Sequence, residues 1–178
     1  MNYSAIDPYP SRLSREPGIV NRQDPVVHGE GDLPATLSRE QIEAYRNDGF
    51  LLLPELLDSR EIEAVSAEMQ RMGKDEAIGG LPEAVRETAN NTLRTIYRAH
   101  ELSELFGRLA RDERLLDTAR YLLGDEVYLH QSRANLRPPF QGTDFQWHSD
   151  FETWHTEDGM PRMRALSMML YLADNTDA

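Results

Sequence analysis

The spacing of hydrophobic and polar positions changes twice along this chain. Before residue 37 there is no sustained apolar period, and five of the ten prolines fall before residue 35. Residues 1–36 therefore read as an extended or partly disordered arm, and residues 37–178 as one domain. At Ser38 a helical pattern begins. Ser38-Arg39-Glu40-Gln41 has the form of a capping box, Ile42 and Tyr45 share one side, and Asn47-Asp48-Gly49 ends the helix. Phe50 to Leu53 is an apolar run closed by Pro54, which predicts a buried strand. Asp58, with Glu61 at the third helical position, predicts the cap of a second helix. Its apolar stripe is Ile62, Val65, Met69 and Met72, read as core packing, and Gly73 is its expected end.

Residues 74–95 contain Gly, Glu and Asn without a clear period and read as a long loop. Leu102–Leu109 and Asp112–Leu123 read as helices, the second stopped by Gly124. From Glu126 the period becomes 2, which predicts strands over 127–136, 145–151 and 163–172. Helices followed by strands predict an α+β fold in which helices pack on a sheet.

Composition narrows the chemistry. The 178 residues are enough for one core, and 39% hydrophobic with 28% charged residues marks a globular chain. No apolar run reaches the roughly 18 residues of a membrane span, and the N-terminus lacks the layout of a secretory signal, so a cytoplasmic protein with no membrane partner is expected. A net charge of −12 repels phosphate and argues against a nucleic-acid partner. Cysteine is absent, which removes thiolate metal sites and cysteine nucleophiles. Lys74, the single lysine, lies in Gly73-Lys74-Asp75 and not in a phosphate-binding loop, and no Gly-x-Gly-x-x-Gly occurs. Imidazole, carboxylate, guanidinium, hydroxyl and aromatic groups remain.

Two stretches gather such groups. Alternation along 127–136 puts Gln131, Arg133 and Asn135 on one face, either lining a polar cavity or simply wet; His130 lies on the other face and reads as structural. Residues 144–158 hold both tryptophans, two of the five histidines, five acids and no basic residue. In a strand over 145–151, His148 and Asp150 project from one face, where imidazole nitrogen and carboxylate oxygen can converge on one cation. The same pair can equally be a hydrogen-bonded surface feature. His155 is the nearest further imidazole for such an ion, but it must return across a turn.

The run Phe145-Gln146-Trp147-His148-Ser149-Asp150-Phe151-Glu152-Thr153-Trp154-His155, with Glu157 to Ala165 after it, resembles the signature of ectoine hydroxylases. These are a branch of the phytanoyl-CoA-hydroxylase-like dioxygenases that use Fe(II) and 2-oxoglutarate. The resemblance covers most of the chain from about residue 35. It implies a double-stranded β-helix, the jelly-roll or cupin architecture. It also implies His148 and Asp150 as two of three iron ligands, Arg133, Asn135 and Phe145 as the wall beside 2-oxoglutarate, and Gln131, Thr153 and Trp154 as contacts to ectoine. Iron and 2-oxoglutarate would act with O2 to hydroxylate ectoine to 5-hydroxyectoine, and the full-length enzyme would be a homodimer.

Members of this family continue beyond a segment like Leu170 to Asn175 into strands that carry the distal His ligand and an Arg for 2-oxoglutarate. The chain is therefore expected to be the N-terminal part of a single dioxygenase domain, with an incomplete jelly roll, little turnover of its own, and an open apolar edge along Met163–Leu172. Two other readings stay open: another small-molecule hydroxylase of the same superfamily, and a non-catalytic solute-binding module.

Overall fold

Local hydrogen-bond chemistry starts each helix. The computed structural model describes residues 9, 16, 18, 19, 21–88, 90–136 and 147–173. Helix α1, Arg39–Asp48, opens with a capping box: Ser38 Oγ accepts from the Gln41 N–H at 3.2 Å and Gln41 Oε1 accepts from the Ser38 N–H at 2.8 Å. Gly49 ends it in the left-handed region at φ 78°. Helix α2, Ser59–Lys74, repeats the arrangement with Asp58 and Glu61, at 2.8 and 2.7 Å. It runs one residue past Gly73, because the chain turns only where Asp75 caps the short α3, Glu76–Gly79. Gly73 serves packing instead: a Cβ there would sit 3.3 Å from Leu136 Cδ1.

Residues 74–95 are more ordered than a long loop. They hold α3, strand β1 (Ala84–Arg86) and the start of β2 (Leu93–Tyr97). With β3, Arg133–Asn135, these form an antiparallel sheet in the order β1-β2-β3. In register, Ile96 lies opposite Ala84 and Ala134, and Thr95 opposite Val85 and Asn135. One face thus carries Ile96 and Ala134, which pack with Met72, Ile78, Leu93 and Ala99 in the main core. The other carries Thr95, Asn135, Tyr97 and Arg133.

Beyond β2, Arg98 at φ 53° turns the chain into α4, Ala99–Leu102. The expected helix over 102–109 is instead two helices, because Ser103 is extended and its hydroxyl caps α5, Glu104–Leu109. Helix α6, Glu113–Leu123, begins at the Asp112 cap and stops at Gly124, φ 65°. Helix α7 is Asp150–Thr156. No helix of the described residues is long and apolar enough to cross a membrane.

The described residues contain helix and sheet, as an α+β chain should, but four expected strands change. Phe50–Leu53 forms no strand; Leu51 and Leu53 point into a second core with Leu37, Ile42 and Leu122, while Phe50 and Leu52 are exposed. Within 127–136 only Arg133–Asn135 pairs, because β2 leaves the sheet at Arg98, whose N–H makes the last bond, to the Ser132 carbonyl at 2.9 Å. Of 145–151, residues 145 and 146 lie outside the described residues and Asp150 already opens α7. Residues 163–172 have no strand partner among the described residues, and Met168, Met169, Leu170 and Tyr171 are exposed. A double-stranded β-helix is thus not formed by the described residues, which build one three-stranded sheet.

The described part of the 1–36 stretch has no helix or strand yet packs closely. The His28 N–H donates to the Leu122 carbonyl at 2.9 Å, and a Cβ on Gly29 would lie 2.1 Å from the Tyr121 carbonyl oxygen. Only glycine allows this approach.

Candidate functional site

His148 and Asp150 come together by a route other than strand alternation. The chain passes from residues without regular structure at 147–149 into α7, whose cap residue Ser149 makes no side-chain cap bond. Asp150 is the first helical residue, and its Oδ1 lies 3.2 Å from Nε2 of His148. Its other oxygen, Oδ2, accepts from Ser167 Oγ at 3.2 Å and lies 3.7 Å from Nη2 of Arg133 on β3. A helix N-terminus, a strand and the 163–172 segment, which has no regular structure, therefore meet at one carboxylate. The His148 and Asp150 side chains are 46% and 31% exposed, so the pair opens to solvent and to a ligand.

This pair fits a shared ion as two of its ligands. Imidazole nitrogen and carboxylate oxygen suit a divalent transition metal, and two donors about 2.1 Å from an ion at a right angle stand about 3 Å apart. It does not complete a site. No group of three or more His, Asp, Glu or Cys side chains gathers around an ion position among the described residues. His155 does not join the pair: it is 2% exposed, its Nδ1 lies 2.5 Å from the Met160 carbonyl oxygen, and its ring stacks on Phe151 at 5.3 Å.

On the polar face of the sheet, Asn135 is held from across the strand pair. Thr95 Oγ1 donates to Asn135 Oδ1 at 3.1 Å, which leaves the amide NH2 as a donor. Thr95 is a residue that the sequence pattern passed over, although the β-branched and aromatic content of Leu93 to Tyr97 is a strand signal. Ser167 was also passed over; nothing local distinguishes it from any other serine. Gln131 is exposed just before β3, and Thr153 is exposed on α7. Neither bonds to His148, Asp150, Arg133 or Asn135 among the described residues. Phe145 lies outside the described residues.

Trp154 is half-buried on α7, four residues after Asp150 and hence on the same stripe of the helix. Its ring meets His130 edge to face at 5.1 Å, and His130 Nε2 lies 3.2 Å from Asp158 Oδ2. His130 therefore supports Trp154, in keeping with a structural part. The segment turns back on Trp154, whose carbonyl accepts the N–H groups of Asp158 and Met160.

Comparison with known proteins places this geometry in a family. The ectoine dioxygenase of Bordetella parapertussis is 53% identical over 174 residues, which are 98% of this chain and 56% of that protein. Two crystal structures of EctD from S. alaskensis, one with bound Fe and one with 2-oxoglutarate and 5-hydroxyectoine, each superpose with a TM-score of 0.83 at 45% identity. Each match covers 89% of this chain and 56% of the solved one. The chain thus spans about half the length of the curated relatives it matches. The phytanoyl-CoA dioxygenase model matches residues 45–178, a span that holds β3, the His148–Asp150 pair and all of α7, and by this match the chain belongs to the phytanoyl-CoA dioxygenase (PhyH) family.

Proposed function

We propose that the whole protein hydroxylates ectoine to 5-hydroxyectoine with Fe(II), 2-oxoglutarate and O2, and that this chain supplies His148 and Asp150 as two of the iron ligands. The observation that carries the reading is the 3.2 Å approach of His148 Nε2 to Asp150 Oδ1, in a chain 53% identical to an ectoine dioxygenase. Iron, when bound, supplies the activation of O2, coupled to the decarboxylation of 2-oxoglutarate to succinate and carbon dioxide.

The chain's own residues bind and orient. Ser167 Oγ and the Arg133 guanidinium hold Oδ2 of Asp150, which turns Oδ1 toward His148. Arg133 and Asn135 form the wall for the anionic cosubstrate, with the Asn135 NH2 as donor and Thr95 fixing its orientation. Phe145 belongs to the same wall. Trp154 offers an aromatic plane to the amidinium of ectoine, with Gln131 and Thr153 as hydrogen-bonding partners. The finer architecture belongs to the same reading: a double-stranded β-helix completed by further strands, a homodimer, and a cytoplasmic location.

The test is ectoine-dependent succinate release by the full-length protein supplied with iron and 2-oxoglutarate, with His148→Ala as control. Turnover that requires ectoine and vanishes in the variant is expected. Release only with a different solute or an acyl thioester would replace the substrate, and no release with any of them would overturn the enzymatic reading.

A further inference from the structure

We propose that Tyr9 is a positioning residue for the His148–Asp150 site, a clamp from the N-terminal arm that sets the rotation of α7. Helix α7 has seven residues, and no side chain caps it at Ser149. A helix of two turns is marginal in water, so its orientation comes from tertiary contacts. Its buried residues are Phe151 and His155, one turn apart. Both meet Tyr9: the Tyr9 ring stands edge-on to Phe151 at 4.8 Å and to His155 at 4.9 Å. Asp150 and Trp154 occupy the adjoining stripe of the same helix, about 100° away. A rotation of α7 that loosened Tyr9 would move the carboxylate from His148 and the indole from His130 together.

The hydroxyl ties the clamp at both ends. It donates to Asp24 Oδ2 at 2.5 Å and accepts the Met163 N–H at 2.7 Å. Asp24 lies 3.8 Å from Arg162 Nη1, and Arg22 donates to the Asp24 and Pro25 carbonyls and reaches Met163 Sδ at 3.3 Å. The arm thereby grips the chain on both sides of Met160, the carbonyl of which holds His155. Tyr9 is only 9% exposed, and burial, followed by the Asp24 bond, pushes its phenol pKa up, so the hydroxyl remains a donor across ordinary pH.

The experiment compares the full-length protein with its Tyr9→Ala and Tyr9→Phe variants by amide hydrogen exchange, and by Co(II) titration followed through the NMR signals of the His148 ring. The clamp predicts that Tyr9→Ala speeds exchange in Asp150–Thr156 at least about tenfold while α2 keeps its protection. It also predicts about tenfold weaker Co(II) binding, the size of effect that loss of a supporting contact has on a metal site. Tyr9→Phe keeps the ring, so α7 regains most of its protection while the Met163 amide, deprived of its acceptor, stays fast. Unchanged exchange in α7, or equal loss in α2 and α7, overturns the clamp. If Tyr9→Ala does not fold, the Met163 amide and α7 in Tyr9→Phe decide. The cobalt arm rests on the metal-ligand reading of His148 and Asp150: a wild-type chain that binds no more Co(II) than His148→Ala defeats that reading, and exchange in α7 still judges the clamp.

Discussion

Oδ1 of Asp150 lies 3.2 Å from Nε2 of His148, while Oδ2 of the same carboxylate accepts a hydrogen bond from Ser167 Oγ. One oxygen faces the imidazole, with which it would share an ion in the proposed reading, and the other is held by the protein. In the full-length protein, His148→Ala or Asp150→Ala should lower iron affinity by more than about 100-fold, and Ser167→Ala by about 10-fold, as expected for a ligand and for its supporting partner. Metal titration of the three variants checks the order. Equal losses for Ser167→Ala and Asp150→Ala would show that the serine does more than hold the carboxylate.

The Thr95–Asn135 bond gives a second expectation. Thr95→Val keeps the shape of a side chain that is 5% exposed and removes the donor that fixes the Asn135 amide. A lost hydrogen bond of this kind costs about 1 kcal/mol, so if Asn135 lines the proposed cosubstrate wall, the full-length protein's KM for 2-oxoglutarate should rise about fivefold with little change in kcat. Steady-state kinetics at varied 2-oxoglutarate measures the split.

Gly29 packs directly against the backbone of α6. A methyl group there would run into the Tyr121 carbonyl oxygen, a backbone atom with no side-chain freedom to yield. Gly29→Ala should destabilise the chain by about 1–3 kcal/mol, the usual cost of overpacking. Denaturant unfolding measures it, with Gly31→Ala as comparison; that glycine has no atom near its would-be Cβ, and only its φ of 86° opposes the change.

Glu68 on α2 ties the main core region to α5. It accepts from Arg71 at 2.8 Å and from Ser103 Oγ at 2.6 Å, and these bonds pull its carboxyl down to about 2 from the ordinary 4.5. A lowered carboxyl pKa stabilises the fold fully above the ordinary value, and that part is lost as pH falls through the folded value. Its side chain is 18% exposed but that of Arg71 is 51% exposed, so solvent screens much of the interaction. Glu68→Gln should lower Tm by about 2–4 °C near neutral pH, with the gap closing between pH 4.5 and 2. Thermal scans across that range give the answer directly.

Helix ends were written in the amino-acid order. Ser38, Asp58 and Asp112 cap and Gly49 and Gly124 stop their helices because each acts on backbone groups within four residues of itself. The signature around His148 and Asp150 was legible for the same reason, as rare side chains in a short run. Its conformation was not. Alternation of apolar and polar residues from 145 to 151 imitates a strand, yet the acidic first turn of Asp150 and Glu152 and the one-turn spacing of Phe151 and His155 serve a helix.

What the sequence determined by itself was local: caps, stops, the apolar stripe of α2, and the donor types at 148 and 150. The tertiary structure alone decided which extended segments became strands, because a strand exists only where another offers unpaired N–H and C=O groups. That is why Arg133–Asn135 pairs with β2 while Phe50–Leu53 and residues 163–172 find no partner among the described residues. It also decided that Ser167 and Arg133 meet at Asp150 and that Tyr9, 141 positions away from it, backs the same helix. Contacts across such separations depend on how whole elements pack, and no periodicity within a short window of residues encodes them.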